Sequence, residues 1–73
     1  MPKLDFAVRG DHITLDRLLK ASGLAASGGA AKALVAEGRV RVDGEVELRK
    51  TAKLRPGQRV ELGDVHVLLA VAG

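Results

Sequence analysis

The sequence predicts an α+β domain: an N-terminal strand, two short helices in a helix-turn-helix-like unit, and a small antiparallel sheet packed against them. Three observations carry this. Apolar and polar residues alternate near the N-terminus and again after residue 38, as half-buried strands require. Between these stretches, leucines and alanines recur at helical spacing, each run closed by a glycine. Finally, Asp43-Gly44 and Pro56-Gly57 punctuate the second half at hairpin-like intervals.

In chain order, Leu4, Phe6 and Val8 fall on one side of a strand over residues 3–8, and Arg9-Gly10-Asp11-His12 reads as a turn. Thr14 is placed to N-cap a first helix with apolar positions Leu15, Leu18 and Leu19, Asp16 in its first turn and Gly23 at its end. Ser27 is placed to cap a second helix running through Ala30–Glu37 and stopped by Gly38. About four residues join the two helices, and their many alanines allow close approach. Arg39-Val40-Arg41-Val42 then alternates into Asp43-Gly44, a type I′ hairpin signal. This turns Val40 and Val42 inward and Arg39 and Arg41 outward, and Glu45–Leu48 continues the alternation. Residues 49–55 are basic and weakly patterned, which predicts an irregular strand or loop. Pro56-Gly57 fits a type II turn, and residues 59–71 read as a closing hairpin. The 73 residues make one domain, read as spanning 1–73.

Composition narrows the function. There are no cysteines, so neither disulfides nor a thiolate metal site stabilise the fold, and burial of Ala, Val and Leu must do so. No apolar run is long enough to span a membrane or serve as a secretory signal, which points to a cytoplasmic protein. Net charge is +3, but its distribution says more. From Arg17 to Arg59 there are ten basic residues (Arg17, Lys20, Lys32, Arg39, Arg41, Arg49, Lys50, Lys53, Arg55, Arg59) against four acids (Glu37, Asp43, Glu45, Glu47). A basic middle suits a polyanionic partner, although a merely solvated surface has the same composition. Phe6 is the only aromatic residue, which argues against a single-strand reader built on stacking platforms. His12 and His66 lie far apart with no acid or cysteine at ligand spacing, so no metal site is expected. Paired carboxylates and phosphate-binding glycine loops are absent from the sequence, so neither catalysis, a cofactor nor a small-molecule substrate is expected.

The run Leu15-Asp16-Arg17-Leu18-Leu19, then Gly23-Leu24, then Ser27 with Ala31-Lys32-Ala33-Leu34-Val35, carries a resemblance. It continues through Glu37-Gly38-Arg39-Val40-Arg41-Val42-Asp43-Gly44 and ends at Pro56-Gly57-Gln58-Arg59-Val60. In this order and spacing it resembles the S4-like RNA-binding domain, or alpha-L motif, with a core over about 14–62. The short length and Ser27-Gly28-Gly29-Ala30-Ala31-Lys32 look most like its small stand-alone YbcJ-type members. Where the family pattern has an arginine after the serine, this chain has Gly28. The resemblance implies a non-catalytic module that binds structured RNA, ribosomal or transfer RNA, with ribosomal or RNA-processing proteins nearby. The candidate contact residues are Arg17, Lys20, Ser27, Gly28, Gly29, Lys32, Arg39, Arg41, Arg49, Lys50 and Lys53, while Arg55 and Arg59 are read as peripheral. Two other readings stand beside it: a protein-interaction module, and a DNA-binding helix-turn-helix protein, which would need base-reading side chains on its second helix.

Overall fold

A computed structural model describes residues 3–72. The chain order is β1 (Lys3–Val8), β2 (Ile13–Thr14), α1 (Leu15–Ala21), α2 (Gly28–Ala36), β3 (Val40–Val42), β4 (Glu45–Val46), β5 (Lys53–Leu54), β6 (Arg59–Leu62) and β7 (Val65–Val71). Five strands form one sheet in the order β1-β7-β6-β3-β4, and β2 pairs with β5 in a separate two-stranded ladder. The α+β architecture is as the sequence predicts. The sheet is antiparallel apart from β1, which runs parallel to β7 and pairs with it along its whole length.

Local chemistry explains most boundaries. Ser27 caps α2 by accepting from the Ala30 amide at 3.1 Å. At the other end Gly38 N–H donates to Val35 O and Arg39 N–H donates to Leu34 O. With Gly38 at φ +71°, these two bonds form a Schellman motif that ends α2 and aims the chain into β3. Asp43 and Gly44 have φ of +52° and +87°, as a type I′ turn requires, between the paired Val42 and Glu45. Gly57 sits at φ +96° with Gln58 N–H bonded to Arg55 O, the type II turn expected at Pro56-Gly57.

Two expectations need correction. Thr14 occupies the N-cap position of α1, but its hydroxyl makes no capping bond. The helix has no amide for it to cap. Leu15 and Asp16 N–H donate to Ala52 O and Lys50 O, and Arg17 N–H donates to the Asp16 carboxylate. The helix connection is also longer than about four residues, spanning 22–27. Its extra length lets Ala25 fold inward to 5% exposure, with its amide on Leu19 O.

The core lies between the helices and one face of the sheet. Leu15, Leu18 and Leu19 of α1 and Ala31 and Val35 of α2 meet Val40, Val60, Val67 and Leu69, and Leu54 closes the side under the β2–β5 ladder. Among the described residues no polar or charged side chain is buried. Every charged side chain among the described residues is therefore available at the surface.

Candidate nucleic-acid interface

The irregular basic segment is fixed in place by backbone bonds. Carbonyls of Lys50 and Ala52 accept from the first amides of α1, and Lys53 and Leu54 pair with Thr14 and Ile13. Leu54 is 1% exposed while Lys53 and Arg55 on either side are exposed. Period-two alternation therefore sends both cations to the same side. Together with Arg49, Thr51, Ala52 and Gln58 they line an open groove of about 670 Å³. Arg55, which the sequence reading set aside, belongs to the groove. The signal that finds it is the Lys-Leu-Arg alternation itself.

The rim of this groove is held by the two turns. Asp43 accepts from Arg59 N–H at 2.9 Å and from Gln58 Nε2 at 3.1 Å, while Gln58 Oε1 accepts from Arg55 N–H at 2.7 Å. Those bonds, the Arg59 amide foremost, hold the Asp43 carboxyl below its ordinary pKa. At the far end, the Thr14 hydroxyl, the Arg17 amide and the positive charge of Lys50 lower that of Asp16.

All eleven candidate residues are exposed. Their charges, however, are not equally free. Arg49 pairs with Glu47 at 3.4 Å, and this contact lowers the Glu47 pKa. Arg39 pairs with Glu37 at 3.7 Å. Among the described residues, Arg17, Lys20, Lys32, Arg41, Lys50, Lys53 and Arg55 have no carboxylate at ion-pair distance.

The structure brings Lys53, Arg49 and Arg55 together, with Lys50 and Arg17 at the adjoining start of α1. It does not bring Arg39 and Arg41 into the same groove. They line a separate concavity with Gly38, Glu61 and Gly63. At the helix exit between the two, a methyl on Gly38 would sit 3.7 Å from Val46 and 3.8 Å from Leu48. Those two side chains remain 51% and 62% exposed: register pairs Val46 with outward-facing Arg41, so the residue expected to point inward lies on the outer face, and β4 ends there. On α2, Gly28, Gly29, Lys32, Ala33 and Ala36 form the exposed surface. No side chain able to read a base edge stands there apart from Lys32.

Among the described residues no cluster of histidine, cysteine and acid side chains could hold a metal ion. No described helix is long and apolar enough to cross a membrane.

A basic groove, a helix pair and an alpha-L-like order of elements define an S4-type module. Residues 6–69 match the S4 domain family, and the chain belongs to that family. YbcJ of Escherichia coli (strain K12) is 51% identical over 61 residues, covering 84% of this chain and 86% of the relative. A YbcJ protein of Shigella flexneri matches to the same extent. The solution structure of the Escherichia coli protein, described as revealing an alpha-L motif involved in RNA binding, superimposes with a TM-score of 0.69. That superposition covers 97% of this chain and 89% of the other at 38% identity.

Proposed function

We propose that this S4 domain is a non-catalytic, cytoplasmic RNA-binding module that grips structured RNA, ribosomal or transfer RNA, by its phosphates and backbone shape. The observation that carries the reading is the pair Lys53 and Arg55, without a carboxylate at ion-pair distance, which β5 and its flank hold in the groove, with Lys50 and Arg17 beside them at the start of α1. Cations held together without acid partners repel one another, and a row of phosphates relieves that repulsion. Arg49, once released from Glu47, extends the row. Lys20 and Lys32, on the helices, and the α2 start at Ser27, Gly28 and Gly29 supply outlying contacts, while Arg39 and Arg41 carry a smaller share. The relatives named above, one of them described with an RNA-binding motif, support the choice of RNA. The exposed surface of α2, made largely of glycine and alanine, speaks against reading DNA base edges. Any partner proteins would belong to the ribosome or to RNA processing.

The test is a titration of the chain against a folded RNA hairpin, duplex DNA and an unstructured single strand over a range of salt. The hairpin should bind tightest. With roughly four to six phosphates contacted, its log–log salt slope should be on the order of −3 to −5. A slope near zero overturns phosphate-led recognition, and equal affinity for all three nucleic acids overturns the preference for structured RNA.

A further inference from the structure

The groove is lined by cations, small residues and Gln58, and has no aromatic or large apolar wall. A second concavity differs. Between the end of β1 and the β2–α1 junction lies a cleft of about 340 Å³, bounded by Phe6, Arg9, His12, Ile13, Thr14 and Arg17. Its size falls in the roughly 300–1,000 Å³ range of small-ligand sites. The two concavities are neighbours: Thr14 borders the cleft, Lys53 borders the groove, and these two residues are register partners across the β2–β5 ladder.

The lining combines chemistries found together nowhere else among the described residues. Phe6, half-buried and the one aromatic residue of the chain, joins Ile13 as an apolar wall. Arg9 and Arg17 are exposed, and neither has a carboxylate at ion-pair distance among the described residues. His12 is 34% exposed, its ring 3.9 Å from an Asp11 carboxylate that itself stands 86% in solvent. A phosphate alone has no use for the apolar wall, and an apolar ligand has no use for two guanidiniums. A nucleotide uses both: its base lies against aromatic, aliphatic and guanidinium surfaces, and its phosphate takes charge-assisted bonds from an arginine.

We infer that this cleft takes one unstacked nucleotide of the bound RNA, at a bulge or helix end next to the paired stretch lying on Lys50, Lys53 and Arg55. The inference rests on the RNA-binding reading and deepens it. The groove supplies grip without sequence preference, and the cleft selects RNA in which a base is free beside a helix.

The experiment compares two RNA hairpins with the same stem, one fully paired and one carrying a single-nucleotide bulge occupied by a fluorescent adenine analogue. The parent chain should bind the bulged hairpin roughly five- to tenfold tighter, the size expected of one stacked base, and change the fluorescence of the analogue. Phe6→Leu and Arg9→Ser should each move the ratio of the two affinities toward one. Arg9 is exposed, so its variant tests the cleft even if Phe6→Leu lowers the melting temperature. Lys53→Glu with Arg55→Glu should weaken both hairpins and preserve the ratio. If the parent binds both hairpins equally, or if its preference survives in both Phe6→Leu and Arg9→Ser, the cleft assignment is overturned while the RNA reading stands. If neither hairpin binds, the RNA reading fails and this inference fails with it.

Discussion

The outer face of the sheet and the groove beside α1 both display arginines and lysines, yet acids are placed differently among them. On the sheet, register places Arg41, Glu61, His66 and Lys3 in one row across β3, β6, β7 and β1. Arg59 lies 3.3 Å from Glu61 and the His66 ring lies 3.9 Å from it, so an acid stands among the basic residues of this face. In the groove, Arg49 pairs with Glu47, but Lys53 and Arg55 have no carboxylate at ion-pair distance, and Lys50 beside the groove has only the more distant Asp16. The difference teaches that a count of cations does not mark a polyanion site. What matters is where register puts the acids. On the sheet face Glu61 already offsets Arg59, whereas Lys53 and Arg55 leave their field to an external anion.

The largest expected effect follows directly. Lys50→Glu, Lys53→Glu and Arg55→Glu together should abolish binding of an RNA hairpin at physiological salt and flatten the salt slope by roughly two to three. Melting temperature should move by only a few degrees, since all three side chains are exposed. Arg39→Gln with Arg59→Gln, which remove cations paired with Glu37 and Glu61, should change affinity less than about threefold, because those charges are offset within the molecule. Equal losses from the two sets would erase the distinction between offset and unpaired cations.

A second prediction sharpens how the groove is held open. Asp43 bridges the type I′ turn to Arg59 and Gln58, and Gln58 in turn holds the amide of Arg55. Asp43→Ala removes both accepted bonds and puts a Cβ-bearing residue with no polar side chain at φ +52°. Because the site is solvent-exposed, the stability loss should be at the low end for hydrogen bonds, about 1 kcal/mol. RNA affinity should fall a few-fold as Arg55 loosens. The Asp43 carboxyl is lowered in the folded state relative to its ordinary value, as are those of Asp16 and Glu47. Their stabilisation is thus fully present above the ordinary carboxylate range and is lost as pH falls through the depressed folded values. Thermal melts should be flat near neutrality and decline below about pH 4, with a shallower decline in Asp43→Asn. A parent and variant with the same acid profile would remove Asp43 from the argument.

These predictions draw unevenly on what the sequence alone displays. The turns were legible because their chemistry is local: Asp43-Gly44, Pro56-Gly57 and Gly38 each demand a backbone conformation that few residues adopt. The α+β class followed from periodicity for the same reason. The partner of β1 was not legible, since alternation tells a strand which face is buried but not whether its neighbour runs parallel. Nor was the replacement of the Thr14 cap by carbonyls of Lys50 and Ala52, which depends on a segment far along the chain. The basic segment itself was legible, but its freedom from acids was only partly so. Glu37–Arg39, Glu47–Arg49 and Arg59–Glu61 are all two residues apart, but only the last lies on a strand, where that spacing turns both side chains to one side; the first closes across the helix-end turn at Gly38. The same alternation across Leu54 turns Lys53 and Arg55 to one side, which makes Arg55 part of the groove.

The smallest expected effect concerns the start of α2, where Gly28 and Gly29 expose bare backbone. Glycine at positions 28 and 29 is not required by packing. A Cβ on Gly28 would meet nothing within 4 Å, and one on Gly29 would come no nearer than 3.8 Å to Ser27 Oγ. Neither residue has a positive φ, so neither is required by a turn. Alanine at either position should therefore stabilise the helix, by less than the roughly 1 kcal/mol typical of a helix interior, because these are the first two helical positions. Ser27 already satisfies the Ala30 amide, which leaves the amides of Gly28 and Gly29 facing solvent. In the proposed reading a phosphate of the same RNA approaches them, an interaction of about 0.3–1 kcal/mol that corresponds to about two- to fivefold in affinity. Gly28→Ala with Gly29→Ala should accordingly melt higher than the parent and bind the hairpin a few-fold more weakly, with Lys32→Ala adding a similar loss. If the double alanine variant melts higher and binds as tightly as the parent, RNA does not reach the start of α2, and recognition is confined to the groove and the surfaces beside it.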